Sequence, residues 1–367
     1  MPDVSKKAQL YALIRDNPYI AQQDLADALG LSRSAVAGHI AALIRERRLL
    51  GRAYVLPDRR PILCIGAANL DRKLQSLAPL AMGTSNPAKA HESFGGVARN
   101  IAENLARLGA PVALMTAVGS DAAGAALLAH ANAAGIDTGA TLQLAHACSG
   151  TYTAVLDGSG DMVVALADMG LYDEMTPASL ATRSALRANA ALVVADLNLP
   201  RETVAALIDA ADRDQVALVL VSVSVPKMAH LPESLHGVRL AILNEGELAA
   251  RVGRTLDTDD DLDAACRVLQ EQGARDVVVT RGARGVFYTT PGGVRHLPAA
   301  QATPVDVTGA GDAFAAAVCF TLHHDGDDLA LACRRGLALS ALTLACTETV
   351  CPTLSPHTFR TLSLLQD

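Results

Sequence analysis

The sequence predicts an α/β fold, a mainly parallel sheet layered between helices, behind a small helical module at the N-terminus. Three observations predict it. From Ile62 onward, short apolar runs alternate with runs of helical period, the pattern of strand–helix–strand units. The 367 residues allow two or three domains and a large buried core. Charge is unevenly divided: residues 1–60 hold ten Lys and Arg against six Asp and Glu, a balance of +4, while the whole chain carries −7 and the remainder therefore −11. A basic head on an acidic body implies two jobs, and the expected division is residues 1–57 and residues 58–367.

The head reads as three helices and a wing. Lys6 to Asn17 places Leu10, Leu13 and Ile14 at helical spacing and stops before Pro18. A short helix follows, with Leu25, Ala26 and Leu29 on one face and Gly30 closing it. Ser32 is the expected N-cap of a third helix that turns Val36, Ile40, Leu43 and Ile44 inward. Helix, Gly-containing turn and capped helix form the helix-turn-helix pattern. Its second helix would offer Arg33, Ser34 and His39 to a DNA major groove. Leu49 to Leu56 reads as a two-stranded wing with Arg52 at its tip, and Pro57 to Pro61 as a short linker. Three-helix modules also serve as dimerisation units; the positive balance favours DNA. The stretch resembles the winged helix-turn-helix domains of bacterial regulators.

In the body, strands are expected at Ile62 to Ala67, Val112 to Val118, Ala191 to Ala195, Val216 to Val221, Leu240 to Leu243 and Asp276 to Thr280. Helices are expected at Ala98 to Leu108, Asp121 to Ala134, Arg201 to Asp212 and Asp259 to Gln272, with two more starting at Ala310 and Leu329. Thr151 to Leu156 and Met162 to Leu166 flank Asp157-Gly158-Ser159-Gly160, a hairpin signal. That hairpin interrupts the alternation and predicts a small β extension over one edge. Ligands of such sheets bind beyond the carboxyl ends of the strands.

Composition excludes some classes. Half of the residues are hydrophobic and the mean hydropathy is +0.25, yet no apolar run approaches the ~20 residues of a membrane span. With a polar start from Met1 to Lys7, neither signal peptide nor anchor is expected, and the expected location is cytoplasmic. The seven cysteines are scattered and lack a CxxC pair, as expected of reduced, mostly buried thiols.

The chemistry is expected at Asp306-Val307-Thr308-Gly309-Ala310-Gly311-Asp312-Ala313-Phe314. A glycine turn opening a helix presents unpaired N–H groups and the positive end of the helix dipole, a seat for phosphate that needs no lysine. Asp312, in the first turn, can then take a proton from an attacking hydroxyl. The alternative is a glycine-rich helix start with Asp312 as a favourable first-turn acid. Asn69 and Asp71 follow the first strand, and an amide beside a carboxylate suits a cis-diol. Gly95-Gly96-Val97-Ala98-Arg99-Asn100 gives a close backbone approach before a helix, or simply a glycine turn with a capping Asn. Asn244-Glu245-Gly246-Glu247 offers oxygens to Mg²⁺-bound water, or a capped acidic helix start. Thr280 to Gly285 is a glycine turn able to lie against a nucleotide, and the absence of GxxxxGK[ST] excludes a P-loop. His323-His324 and the acidic run Asp257 to Asp263 read as structural.

Together and in this order, these pieces resemble the ribokinase-like (PfkB) carbohydrate and nucleoside kinases across about residues 61 to 350. GGVARN at 95–100 and DVTGAGDAF at 306–314 match that family's two signatures. Ser85-Asn86-Pro87-Ala88-Lys89, VGSD at 118–121 and VVADLNLP at 193–200 are similar to the pseudouridine kinase branch. The resemblance implies a three-layer α/β/α sandwich with a small β lid, drawn from parts of 72–95 and 147–170, that often makes a dimer interface. It implies phosphorylation of a nucleoside 5′-hydroxyl by ATP, with Asp312 as base and the N–H groups of Gly309, Ala310 and Gly311 as anion hole. It implies that Asn69, Asp71, Gly95, Gly96 and Asn100 hold the ribose, with Asn198 facing sugar or base. Asn244 and Glu247 would order the Mg²⁺–phosphate shell, Asn244, Thr280, Gly282 and Gly285 would line the ATP site, and Asp306 would belong to a monovalent cation loop, often K⁺. One departure concerns substrate: where many relatives carry a D-P-x-S-like run, this chain has Val221-Ser222-Val223-Ser224-Val225-Pro226-Lys227. Aromatic residues are few, leaving Tyr152, Tyr172 and Phe94 as stacking candidates for a base.

Overall fold

The computed structural model describes residues 5–16, 20–49 and 60–364. The chain separates into two compact units, Met1–Pro61 and Ile62–Asp367.

In the first unit, α1 (Lys6–Asp16), α2 (Gln22–Leu29) and α3 (Arg33–Arg45) close on a core of Leu10, Ile14, Leu25, Leu29, Val36, Ile40 and Leu43. The turn between α2 and α3 follows from two residues. Gly30 ends α2 in the left-handed region, and the Ser32 hydroxyl caps α3 by accepting from the Ala35 N–H at 3.2 Å. Ile44 is a correction: its side chain is 38% exposed, because the stripe 36, 40, 43 already fills the inward face. The expected wing, with Arg52, and most of the linker lie outside the described residues.

The second unit is a three-layer α/β/α sandwich. Its central sheet has nine strands in the order β15-β14-β13-β12-β11-β10-β1-β4-β6. Strands β1 (Ile62–Ile65), β4 (Val112–Met115), β6 (Ile136–Asp137), β10 (Leu192–Asp196), β11 (Leu218–Val221), β12 (Val238–Asn244) and β13 (Asp276–Thr280) run parallel. An antiparallel hairpin, β14 (Val286–Thr290) and β15 (Gly293–Leu297), extends one edge. One face packs under α4 (Val97–Arg107), α11 (Ala310–His324) and α12 (Leu329–Leu344), the other under α8 (Arg201–Asp214), α9 (Glu245–Val252) and α10 (Asp259–Glu271). Both faces are therefore dry, and strands such as Leu192-Val193-Val194-Ala195 are apolar without alternation.

A separate four-stranded sheet, in the order β3-β2-β8-β9, is the lid: β2 (Asn69–Ser76), β3 (Ala88–Gly95), β8 (Thr151–Leu156) and β9 (Met162–Asp168). The hairpin read from Asp157 to Gly160 joins β8 to β9. The strands β2 and β3 were not legible as strands, because Arg72, Lys73 and Glu92 leave no apolar alternation. Asn69 and Asp71 thus begin a lid strand rather than sit in the turn after β1. The expected strand Val112 to Val118 is likewise two, β4 and β5 (Ala117–Gly119), the latter paired with β7 (Leu142–Leu144). Among the described residues, no helix is long and apolar enough to cross a membrane.

Candidate active site

The first turn of α11 carries the predicted glycine turn. Gly309 caps it at φ +84°, and a Cβ there would lie inside the carbonyl of Thr349. Only glycine meets both conditions. Upstream, the Asp306 carboxylate accepts from the Thr308 N–H at 2.9 Å and the Thr308 hydroxyl at 2.7 Å, folding the chain into the helix start. Ala310 N–H reaches the Val307 carbonyl only at 3.4 Å, and the N–H groups of the turn after it have no intrahelical partner by helix geometry. The turn therefore faces outward with donors and no side chain at Gly311, where a Cβ would meet open space.

Asp312 stands one residue further on. Its carboxylate accepts from the Asn100 side-chain amide at 2.6 Å. The direction of that amide is fixed by its other end: Asn100 Oδ1 accepts from the Arg99 guanidinium and, at 3.3 Å, from the Thr349 hydroxyl. Arg99 is 2% exposed and is held by Glu103 at 2.5 Å, the Phe94 carbonyl at 2.7 Å and the Gly95 carbonyl at 3.1 Å. Glu103 in turn meets Arg107 and His130. Reasoning from sequence missed Arg99. Its signal was an arginine four residues before Glu103, on the same face of a helix whose Ala98, Ile101, Ala102 and Leu105 are buried.

Asn69 donates to Asp71 at 2.6 Å, and both side chains are buried. A Cβ on Gly95 would overlap the Asp71 carboxylate, so this glycine makes room for the acid, while Gly96 passes under the Ala67 backbone to start α4. Asn198 lies past β10 and gives its N–H to Asp196 at 2.8 Å. Asp196, not singled out from the sequence, also accepts from the N–H groups of Ala67 at 2.9 Å and Ala98 at 3.0 Å, tying together β10, the entry to the lid and α4. Burial raises the Asp71 and Asp196 carboxyls above their usual range. Burial, with the charges of Asp196 and Asp71 adding to it, pushes Asp312 up to about 7, against the pull of Asn100 and Arg99. Buried beside two further carboxylates, Asp312 is poised to exchange a proton near neutrality.

On the other side of the turn, a cavity of about 410 Å³ is lined by Thr280, Gly282, Gly285, Val307, Ala310 and Gly311, among others. Asn244 pairs with Thr280 in the sheet. Asn244 and Glu247 form a reciprocal capping box, with Oδ1 accepting from the Glu247 N–H at 2.9 Å and Glu247 Oε2 from the Asn244 N–H at 2.7 Å. Ser222, in the run that departs from the family pattern, also donates to Glu247 Oε2. Among the described residues, no three His, Cys, Asp or Glu cluster as a metal cage.

Two aromatic candidates are corrected. Tyr172 is fully buried with its hydroxyl bound to the Ala68 backbone. Phe94 pairs with Leu70, on the lid face opposite Asp71, and packs against the His130 ring, tilted, at 4.7 Å between centroids. Tyr152 is paired with Asp71 and keeps a place beside it. His324 bonds the Phe320 carbonyl, and Asp261 closes a capping box with Thr258, so both features are structural. Arg33 and Ser34 are exposed and His39 half-buried on α3, in the head unit.

Comparison with known proteins agrees with this architecture. The pfkB family carbohydrate kinase pattern matches residues 59–355, and a winged helix-turn-helix DNA-binding pattern matches residues 7–47. An uncharacterized sugar kinase of Escherichia coli, YeiI, is 31% identical over 353 residues, covering 96% of each chain. The E. coli pseudouridine kinase is 33% identical over 297 residues, covering 80% of this chain and 93% of its own. A carbohydrate kinase from Agrobacterium tumefaciens superposes with a TM-score of 0.72 at 31% identity, over 84% of this chain and 98% of that one. Arabidopsis thaliana ribokinase, solved with ribose and ATP, shares the fold with a TM-score of 0.73 at 19% identity, over 83% of this chain and 98% of that one.

Proposed function

The chain belongs to the pfkB family of carbohydrate kinases, ATP-dependent phosphotransferases that act on hydroxyl groups, and from that premise we propose that it phosphorylates the 5′-hydroxyl of a ribonucleoside, pseudouridine first. The observation that carries the reading is Asp312, at about 7, held by Asn100 in the first turn of α11 between the buried Asn69–Asp71 pair and the 410 Å³ cavity. Asp71 would accept from the sugar diol, with Asn69 fixing its carboxylate. Asp312 would take the proton of the attacking hydroxyl. The N–H groups at Gly309, Ala310 and Gly311 would receive the transferred phosphoryl, and Thr280, Gly282 and Gly285 would line the nucleotide. Glu247, whose Oε1 accepts no hydrogen bond among the described residues, fits a Mg²⁺ ion that keeps its waters and phosphate oxygens and takes one carboxylate through water. When bound, that ion supplies charge neutralisation on the phosphates. A free nucleoside or pentose other than pseudouridine is the alternative substrate. Asp71→Asn is expected to weaken pseudouridine binding by about 1–3 kcal/mol in calorimetry, the cost of a lost charged hydrogen bond; unchanged affinity would place the diol elsewhere.

The head is proposed to bind DNA through α3, with Arg33 and Ser34 at the helix start and His39 further along the helix. Arg33→Ala is expected to lower affinity for the operator and to flatten its salt dependence in gel shifts, by about one phosphate contact. An Arg33→Ala protein that shifts DNA as the parent does would remove α3 from the interface. Val164 and Leu166, exposed on the lid face opposite Asp71, suit the pairing of two copies through their lids.

A further inference from the structure

The loop that precedes the anion hole places a carboxylate, Asp306, beside the seat of a phosphoryl group. Such a charge repels phosphate unless a cation neutralises it. The resemblance assigns that task to a monovalent ion, but the residues present do not fit one. Asp306 Oδ2 is taken by the Lys73 ammonium, and Oδ1 by both donors of Thr308. Lys73 Nζ also stands 3.5 Å from the Thr308 hydroxyl. Burial alone would raise the Asp306 carboxyl, yet Lys73 and Thr308 hold it below its ordinary range. An ion arriving here must displace a tethered ammonium, which acts at high effective concentration.

We propose that Lys73 is the resident cation of the anion-hole loop and takes the place of a free monovalent ion. Lys73 lies on β2 two residues after Asp71, so the two side chains share one face of the lid. A single strand thereby carries the acid of the substrate site and the counter-charge of the phosphoryl site. The position of the lid and the neutralisation of Asp306 are thereby coupled through Lys73. Lys73 acts through the loop and is a positioning residue.

The rate readout rests on the kinase reading; a melting readout does not. ADP release is measured in K⁺ and in N-methylglucamine salts for the parent, Lys73→Gln and Lys73→Arg, and each protein is melted in both salts. The parent and Lys73→Arg are expected to differ by less than about twofold between salts. Lys73→Gln is expected to lose about tenfold in kcat without K⁺, less than the ~10²–10³ of a direct oxyanion donor, and to recover most of it with K⁺. K⁺ is expected to raise the melting temperature of Lys73→Gln and not of the parent. A parent enzyme that needs K⁺, or a Lys73→Gln protein indifferent to K⁺ in melting and in rate, overturns the proposal. If the parent turns over no nucleoside or sugar, the kinase reading fails and the melting comparison still decides Lys73.

Discussion

Asp312→Asn is expected to lower turnover by about 10²–10⁴-fold, the range for a lost general base, while leaving the protein folded and more stable above neutral pH. The sign follows from the titration. Asp312 ionises at about 7 in the fold against 3.8 ordinarily, so its ionisation opposes folding. The penalty is absent below pH 3.8, grows as pH rises and is complete above about 7. An amide removes it and can still accept from Asn100. The gain above pH 7 is expected to be about 1–2 kcal/mol, reduced by the solvent contact of the carboxylate, and to vanish near pH 4. Melting at several pH values reads this gain. In the parent enzyme the same group gives kcat/KM an acid limb, rate falling as pH drops through about 7. Loss of activity with no gain in stability at high pH would mean that Asp312 is not the perturbed acid.

The two glycines of the same turn are expected to respond in opposite ways to one methyl group. Gly309 sits at φ +84°, with the Thr349 carbonyl where a Cβ would be. Gly309→Ala is therefore expected to cost about 1–3 kcal/mol in backbone strain, with displacement of the loop and loss of activity. Gly311 has a helical φ and open space before it. Gly311→Ala is expected to gain about 0.5–1 kcal/mol from helix propensity, yet to lose turnover by about tenfold or more because its methyl enters the phosphoryl seat. Thermal melts beside initial rates separate the two. A Gly311→Ala enzyme of parental rate would place the phosphoryl group elsewhere.

The fold was legible wherever burial is symmetric. Apolar runs such as Leu192 to Ala195 declare interior strands, and Ser32 and Gly30 mark helix ends by local chemistry. The lid was half legible. Its hairpin carries a turn signal, but β2 and β3 are polar on one face and interrupt the apolar residues of the other with Arg72 and Glu92, so Asn69 and Asp71 looked like a turn. Local motifs also could not say which face a side chain takes. Phe94 turns away from Asp71 because strand residues alternate, and Ile44 lies one position off the buried stripe. Partnerships across long separations stayed hidden altogether. Arg99 with Thr349, Asp196 with Ala67, and Lys73 with Asp306 exist only once the sheet has brought distant segments together.

The most direct test of the central claim is product formation from Mg²⁺-ATP over pseudouridine, uridine and ribose, with Asp312→Asn run alongside. The account predicts pseudouridine 5′-phosphate and matching ADP from the parent, with rate lost below pH of about 7, and both products from the variant at a rate about 10²–10⁴-fold lower. Turnover in Asp312→Asn near the parental rate, or ATP left intact with every nucleoside and pentose tried, would contradict it.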